Sequence, residues 1–436
     1  MDLTSRLRSI VRPSGGPTRE LTYEPDTGRY EATIDIDRVA DVLGGRVVSN
    51  AFGRALVVDR RYESDRYHGT LRIGDCELED GESLRLLDPK LVSPDGCGNR
   101  TLFVDLETTG LSGGAGTVAF LVGCGWFDMG AFQVRQFLLT SYAAERALLG
   151  AVAECFDDAS LLVTYNGKTF DVPVMETRWL FHRMQMPLEQ VRHFDMLHPA
   201  RRLWRGRMDA DDPDGGCRLA SLERTLFAVR RVGDVPGMDI PARYFRFLRS
   251  GDACPLEPVL EHNRLDLISL AAVSANAVRL VQEGSASCRD ALEALALGRV
   301  YERAAAFDRA VDCYRRAADE ADTALDVRAE ALYRIAVRMR RERRFDDAAG
   351  VWRSILDLAE RGRRRSPLVA ALRQVAAEAL AIHQEHRARD YSGARELALL
   401  VLEEIDGEDS RHLDATEHRL ARLDRKIAAY NYQLFG

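Results

Sequence analysis

The chain has 436 residues, 46% of them hydrophobic, and a formal net charge of −7. This length and apolar content are sufficient for two or three domains, and no apolar run approaches the roughly 18 residues that a membrane span needs, so we expect no membrane partner. The acidic balance argues against a general nucleic-acid coat protein, because sequence-independent binding neutralises phosphates with basic side chains. The eight cysteines lack metal-binding spacing, which predicts free thiols and a cytoplasmic location.

The first hundred residues predict a small β-rich lead-in. Residues 1–12 have the pattern of a short amphipathic helix without the apolar core of a signal peptide. Strand-like runs follow at 30–36, 55–62 and 70–73. We expect this region to brace the next domain or to contact a substrate, and the sequence assigns it no chemistry.

A short apolar strand carries two acids at 103–110, FVDLETTG. Because strand side chains alternate between faces, Asp105 and Glu107 point the same way. Two neighbouring carboxylates repel each other unless a cation lies between them, and hard oxygen ligands favour Mg²⁺ or Mn²⁺. The alternative is an exposed strand end that holds no ion.

Two later segments add further acids and a histidine. The strand-like run 161–165 leads into NGKTFD, which places Asp171 where a helix begins. An Asp at such a position can also simply cap the helix. Residues 259–268 predict another helix, on which His262 and Asp266 are four residues apart and share one face; the alternative is an ordinary surface pair.

The elements between these segments indicate the fold class. Runs at 118–127 and 132–138 predict two more strands, and an apolar stripe through Leu148, Val152 and Phe156 predicts a helix. The resulting βββαβα order predicts a mixed sheet flanked by helices. Beyond a turn-rich loop at 209–216, the stretch 221–248 predicts helices broken at two prolines, 236 and 241.

In this order, DLETTG, NGKTFD and HNRLD resemble the three exonuclease motifs of the DEDD 3′–5′ exonucleases, which have the α/β ribonuclease H-like fold. The stretch 195–204, DMLHPARRLW, is similar to YprB-type ribonuclease H-like proteins. The resemblance implies that two divalent ions, Mg²⁺ or Mn²⁺, are bound by four acids, namely Asp105, Glu107, Asp171 and Asp266. It also implies that the substrate is the single-stranded 3′ end of DNA or RNA.

His262 is the candidate general base, because an imidazole titrates near neutral pH and can accept the proton of a water. The sequence departs from the family pattern here. In the histidine subclass the base precedes the last Asp by five positions, whereas His262 precedes Asp266 by four, the spacing of the tyrosine subclass. Two roles therefore stay open for His262: taking the proton of the water, or orienting that water.

Several residues around the acids are candidates for contacting a nucleic-acid end: Thr108, Thr109, Gly110, Asn166, Lys168, Phe170, Arg201 and Arg202. A glycine lets the backbone approach a nucleotide closely. The two arginines belong to a basic run around Trp204, a composition that suits phosphate contact and base stacking. The alternatives are a turn role for Asn166, a core role for Phe170 and a solvated helix face around a buried Trp204. Asp195 is either an auxiliary acid or a structural hydrogen-bonding group.

Downstream of residue 284 the composition shifts to alanine, arginine, leucine and glutamate. Gly298, Tyr301, Ala310 and Tyr314 fall at the offsets of a tetratricopeptide unit, a helix-turn-helix repeat of about 34 residues. Weaker echoes begin at 345 and 391. Three helical hairpins suffice to bury a continuous core and to bind a protein partner, and the alternative is a structural extension.

Together these patterns predict a β-rich region at 1–98, a ribonuclease H-like exonuclease domain at 99–284 and an all-α, tetratricopeptide-like helical-repeat domain at 285–436. The predicted activity is metal-dependent 3′–5′ hydrolysis of terminal phosphodiesters. Two alternatives are a non-catalytic nucleic-acid-binding adaptor and an endonuclease of the same fold.

Overall fold

The computed structural model describes residues 34–78, 81–91, 100–110, 116–188, 191–207, 217–361, 366–404 and 410–435. The helix predicted at 1–12 and the loop predicted at 209–216 lie outside the described residues.

The first described element is a helix, α1 (Ile36–Leu43), and the strand predicted at 30–36 is therefore wrong where it is described. The Asp35 side chain accepts hydrogen bonds from the backbone N–H groups of residues 37 and 38, so it caps the helix N-terminus. Gly44 ends the helix in the left-handed conformation, at φ 60°. The strand-like pattern at the start of this segment is thus overridden by Asp35 and Gly44, which cap the two ends of the helix.

One mixed sheet of seven strands forms the centre of the described structure, in the order β1-β2-β7-β6-β5-β8-β9. Its strands, in chain order, are β1 (Arg46–Asn50), β2 (Gly53–Tyr62), β5 (Arg100–Thr108), β6 (Ala119–Asp128), β7 (Ala131–Leu138), β8 (Ala159–Thr164) and β9 (Arg192–Asp195). A small hairpin, β3 (Tyr67–His68) and β4 (Leu71–Arg72), lies apart from it. Because β2 pairs with β7, the N-terminal strands extend the central sheet.

The central strand β5 is antiparallel to β6 and parallel to β8, which confirms the predicted mixed sheet. Its side chains alternate between two hydrophobic cores: Phe103 packs into one, and Leu102 and Val104 pack into the other. Burial on both faces fixes the register of β5, because a one-residue slip would exchange the two sets of side chains. The acids that follow on this strand therefore have defined positions.

Helices cover both faces of the sheet. They are α2 (Gly81–Leu87), α3 (Glu145–Ala153), α4 (Asp171–Phe181), α5 (Leu197–Trp204), α6 (Leu219–Phe227), α7 (Ile240–Ser250) and α8 (Glu257–Glu283). Pro241 lies in the first turn of α7, where a missing N–H costs nothing, so it begins a helix rather than breaking one. The long helix α8 packs against β5 and β6.

The stretch around α8, Cys254–Ser287, is long and apolar enough to cross a membrane by length and composition alone. However, 72% of its most apolar window is buried inside the protein. It is therefore the central helix of the core, which explains why it is apolar on most of its surface.

A run of packed helices follows: α9 (Ala291–Arg303), α10 (Phe307–Asp319), α11 (Leu325–Arg341), α12 (Phe345–Arg361), α13 (Pro367–His383), α14 (Tyr391–Glu404) and α15 (Ser410–Phe435). Each helix packs against the next one in the chain. Helix α9 also packs against α5, where the Trp204 indole N–H donates to Glu293 at 2.9 Å. One hydrophobic core therefore runs from the sheet into these helices.

Candidate functional site

Asp105 and Glu107 lie on the same face of β5, near its carboxyl end. Both are half-buried, whereas the intervening Leu106 points into the opposite core. The strand ends at Thr108, whose hydroxyl donates to the Gly110 carbonyl at 2.9 Å. The two acids are thus held by a buried strand at the point where the chain leaves the sheet.

Asp171 lies near these two acids, at the start of the helix that follows the parallel strand β8. It is the first residue of α4, with Phe170 at the capping position, so it does not cap the helix as the sequence alternative suggested. It is buried, and the backbone N–H groups of Asp171 and Leu106 both act to lower the pKa of its carboxyl group. The influence of the Leu106 N–H places Asp171 beside the strand segment between Asp105 and Glu107.

Asp266 and His262 come from α8, which crosses this end of β5. The His262 Nε2 atom lies 3.4 Å from Asp266 Oδ2, so the pair shares one helix face as predicted. Both side chains are largely shielded, with 17% and 19% of their surfaces exposed. They are therefore part of an enclosed cluster and not an ordinary surface pair.

The electrostatics show that the four acids form one group. Burial, followed by repulsion from Asp266, Glu107 and Asp171, raises the pKa of Asp105 well above its usual value. Burial and the charges of Asp266 and Asp171 raise the pKa of Glu107 in the same way. Burial raises the pKa of Asp171 to about 7, with a further contribution from Asp195. Mutual repulsion of this kind requires carboxylates that lie close together in a shielded space.

The donor set is suitable for hard divalent cations, because all four groups are carboxylates and a cation would relieve their repulsion. Among the described residues, however, no group of three or more His, Cys, Asp or Glu side chains is arranged so that it could hold a metal ion. Two of the acids are instead held by neighbours, Asp105 by Asn263 and Asp266 by Arg231. The carboxylate chemistry therefore suits a metal, whereas the side-chain orientations in this structure are set by the protein partners.

Asn263 was not singled out by the sequence, although it lies within the HNRLD motif. Its amide donates to the Asp105 carboxylate at 2.8 Å and to the Asp105 carbonyl at 3.2 Å. Its oxygen accepts from buried Gln136 at 2.8 Å, which fixes the orientation of the amide. Gly123 faces Asp105 across the β5–β6 pair, and a Cβ atom there would collide with the Asn263 amide.

Arg231, between α6 and α7, was also missed. Its guanidinium bonds to Asp266 at 2.6 Å and to Glu223 at 2.6 Å, and it lies 3.3 Å from Asp234. Only 7% of the Arg231 side chain is exposed. Burial opposes ionisation of Glu223, but the nearby His68 imidazole and the hydrogen-bonded Arg231 guanidinium lower its pKa to about 2. A buried cation therefore binds one of the candidate metal ligands.

Asp234 supplies a partner for the candidate base. Its Oδ1 lies 2.7 Å from His262 Nδ1, so the imidazole is placed between Asp234 and Asp266. No periodic pattern marks residues 231–234, because they act through contacts distant in sequence. A basic and an acidic residue in a glycine- and proline-containing loop are the only local signal.

The loop after β8 is built around buried Asp195. The Asp195 carboxylate accepts from the backbone N–H of Asn166 at 2.8 Å and of Lys168 at 3.0 Å, which assigns it a structural role. Asn166 is exposed and left-handed, at φ 68°. Lys168 is exposed, and its ammonium group pairs with Asp88 at 3.1 Å. Phe170 is half-buried. These residues thus lie in the loop between β8 and Asp171, and the Lys168 side chain is directed to Asp88.

The candidate arginines of α5 occupy two different environments. Arg201 is exposed, whereas half-buried Arg202 donates to the Leu87 carbonyl at 2.9 Å. Trp204 is completely buried, so it belongs to the core and presents no face to a base. At the other end of the site, the Thr109 backbone N–H donates to the Val118 carbonyl at 3.0 Å.

Two comparisons with known proteins agree with this architecture. Residues 102–278 match the model of the RNase_H superfamily. The chain is also 30% identical, over 332 residues, to the Bacillus subtilis (strain 168) protein named uncharacterized protein YprB, with 76% of each chain covered. The superfamily match contains all four acids and His262. The chain therefore belongs to the YprB family and carries a ribonuclease H superfamily domain.

Proposed function

We propose that this protein is a metal-dependent 3′–5′ exonuclease. The observation that supports it best is the convergence of Asp105, Glu107, Asp171 and Asp266. Burial, followed by repulsion from other acids of this set, raises the pKa values of Asp105 and Glu107, and burial raises the pKa of Asp171. A protein retains such a destabilising cluster where the site has a chemical role. The ribonuclease H superfamily domain makes a nucleic-acid phosphodiester the substrate class best supported.

The four acids would hold two Mg²⁺ or Mn²⁺ ions, which supply an activated water and stabilise the leaving oxygen in sites of this type. Helix α8 contributes the remaining groups. His262, bonded to Asp234 through Nδ1, presents Nε2 toward the acids and can accept the proton of a water there. Asn263 orients Asp105, and Arg231 orients Asp266.

Substrate contacts are proposed for the rim of the cluster. Thr108, Thr109 and Gly110 leave β5 beside the acids, and Asn166 and Lys168 project from the next loop. Lys168 would exchange its exposed pair with Asp88 for a phosphate, a small loss because exposed ion pairs contribute about 0–1 kcal/mol. In this proposal a single strand enters with its 3′ end at the acids.

The helices α9 to α15 are proposed to be a degenerate tetratricopeptide-like array that binds a protein. Support comes from their sequential packing and from the close approach of Gly298 to the Tyr314 ring, which a Cβ atom would prevent. In this arrangement each helix pair packs against the next pair along the chain, as in repeat proteins.

One observation favours a second candidate function, a non-catalytic nucleic-acid-binding adaptor. Arg231 neutralises Asp266 at 2.6 Å, so the cluster is partly compensated without a metal ion. In the adaptor, this ion pair would persist and no hydrolysis would follow.

Single strands of DNA and RNA, labelled at either end, distinguish these functions when incubated with Mg²⁺, Mn²⁺ or EDTA. Stepwise loss of the 3′ label with either ion, and its absence in EDTA, is the expected result. Internal cuts would indicate an endonuclease. Retention of the strand without cleavage would indicate the adaptor and overturn the proposal.

A further inference from the structure

The helical array contains a cleft of about 270 Å³ between the end of α11, the start of α12 and the end of α13. Its walls are mainly apolar, and include Ala348, Trp352, Ala379 and Ile382. Its polar lining side chains are all arginine or histidine, namely Arg340, His383, His386 and Arg387. No carboxylate is among the lining residues of this cleft.

The acidic side chains beside the cleft do not neutralise its positive charge. Asp346 pairs with His383 at 2.8 Å but is itself almost fully exposed. Glu385 is buried and lies 2.7 Å from Arg422 and 2.8 Å from Lys426, so it is already neutralised. The cleft is therefore a positive site on a chain whose net charge is −7.

A buried imidazole atom in this cleft lacks a partner. His383 Nδ1 makes no hydrogen bond within the part of the chain that the structure describes. A buried polar atom without a partner costs stability, so the packing beside the cleft is not fully satisfied within the described residues. The chain next to it, Gln384–Ala388, is a π-helical turn, a departure from α-helix often found at functional positions.

An apolar stripe leads into the cleft along α13. Leu368, Val375 and Ile382 are spaced by seven residues, so they lie on one side of the helix, and they are 40%, 42% and 40% exposed. Ile382 also lines the cleft, which makes the stripe and the cleft continuous. A helix that is apolar on its exposed side as well as its buried side normally has a covering partner.

We propose that this surface binds an acidic segment of another protein. An apolar side chain of that segment enters the cleft against Ala379 and Ile382, and its carboxylates pair with Arg340 and Arg387. Nucleic acid fits less well, because Trp352 is only 2% exposed and Arg387 covers the Phe345 ring at 3.5 Å. No aromatic face is therefore free for a base to stack on.

The site is independent of the acidic cluster on β5, so the test does not need nuclease activity. Fluorescence polarisation of the full-length protein is measured with short labelled peptides in which glutamate pairs alternate with leucine, isoleucine or phenylalanine. The matched probes are the same peptides with lysine in place of glutamate, and a labelled single-stranded oligonucleotide. The variants are Arg387→Glu and Ala379→Leu, with Arg353→Glu as control, because Arg353 is exposed on α12 and does not line the cleft.

We expect the acidic peptides to bind and the lysine peptides not to bind. Arg387→Glu should weaken binding by about tenfold or more through like-charge repulsion. Ala379→Leu should weaken it by filling the cleft, with an unchanged melting temperature showing that the fold is intact, and Arg353→Glu should have no effect. Equal binding of both peptide types, no binding by any acidic peptide, or an equal loss in the control would overturn the proposal. So would oligonucleotide binding that Arg387→Glu abolishes while peptide binding stays the same.

Discussion

The Asn263 amide donates to the Asp105 carboxylate at 2.8 Å through a space that Gly123 leaves open. Asp105 and Gly123 face each other across neighbouring strands, and helix α8 brings Asn263 against both. A side chain at position 123 would close this space. The geometry of the acidic cluster therefore depends on a glycine that has no chemical role of its own.

Gly123→Ala is expected to displace Asn263 and to leave its amide and that of Gln136 poorly paired. The free energy of unfolding should fall by roughly 1–3 kcal/mol, the cost of a buried polar group that loses its partner. The exonuclease rate should fall with it. Gly350→Ala is the matched control: its added Cβ meets no neighbouring atom, and alanine should stabilise this helical position by about 0.5–1 kcal/mol. Equal stability of the two variants in urea titrations would contradict the prediction.

The stability of the metal-free protein should decrease as the pH rises from about 4 to about 7. Burial raises the pKa of Asp171 to about 7 in the folded protein, above its value of 3.8 in an unfolded chain. The folded state therefore binds the proton more tightly, and this contribution, on the order of 4 kcal/mol, is present below pH 4 and lost above pH 7. Thermal unfolding in EDTA across this range measures it.

Asp171→Asn removes the ionisation and should raise the melting temperature at pH 8 relative to the parent protein. The exposed Asp157→Asn is the control and should change nothing. Adding Mn²⁺ at pH 8 should stabilise the parent protein, because the ion compensates the repelling carboxylates. If the parent protein were as stable at pH 8 as at pH 5 in EDTA, the pKa of Asp171 would not be raised in the folded state.

Asp105→Ala is expected to abolish cleavage while the protein stays folded. The substitution removes one of several repelling carboxylates, and Asn263 keeps the backbone carbonyl of residue 105 as an acceptor. The metal-free protein should therefore melt at the same or a higher temperature. Binding of Mn²⁺, measured by calorimetry, should weaken in parallel. Asp266→Ala should behave similarly in cleavage, since Arg231 retains Glu223 as a partner. Turnover at the parent rate in either variant would remove that acid from the site.

His262→Ala should slow hydrolysis by about a hundredfold, the usual contribution of a general base. Asp234→Asn should cause a smaller loss, because the imidazole keeps its place but loses the carboxylate that fixes its orientation through Nδ1. The double variant should be no slower than His262→Ala alone if Asp234 acts through the histidine. Additive losses in single-turnover rates would assign Asp234 an independent role.

The sheet and the acids could be predicted from the sequence because local patterns encode them. Alternating burial marks β5 and its two acids, and a four-residue step places His262 and Asp266 together. Asn263, Arg231 and Asp234 could not be found this way, since their partners lie on other elements and only packing brings them close. Trp204 was ambiguous for the same reason, and its bond to Glu293 places it in the core.

That bond also affects how the protein can be divided. Trp204 and Arg207, at the end of the sheet region, are tied to Glu293 and Asp290 at the first helix of the array, at 2.9 and 2.6 Å. Residues on both sides of this junction, including Val281 and Cys288, belong to one hydrophobic core. Separating the two parts near residue 284 would expose the Trp204 indole and remove a hydrogen-bond donor from the buried Glu293 carboxylate. In the intact chain, the sheet region and the helical array should therefore unfold in a single transition, and neither part should be expected to stay folded alone.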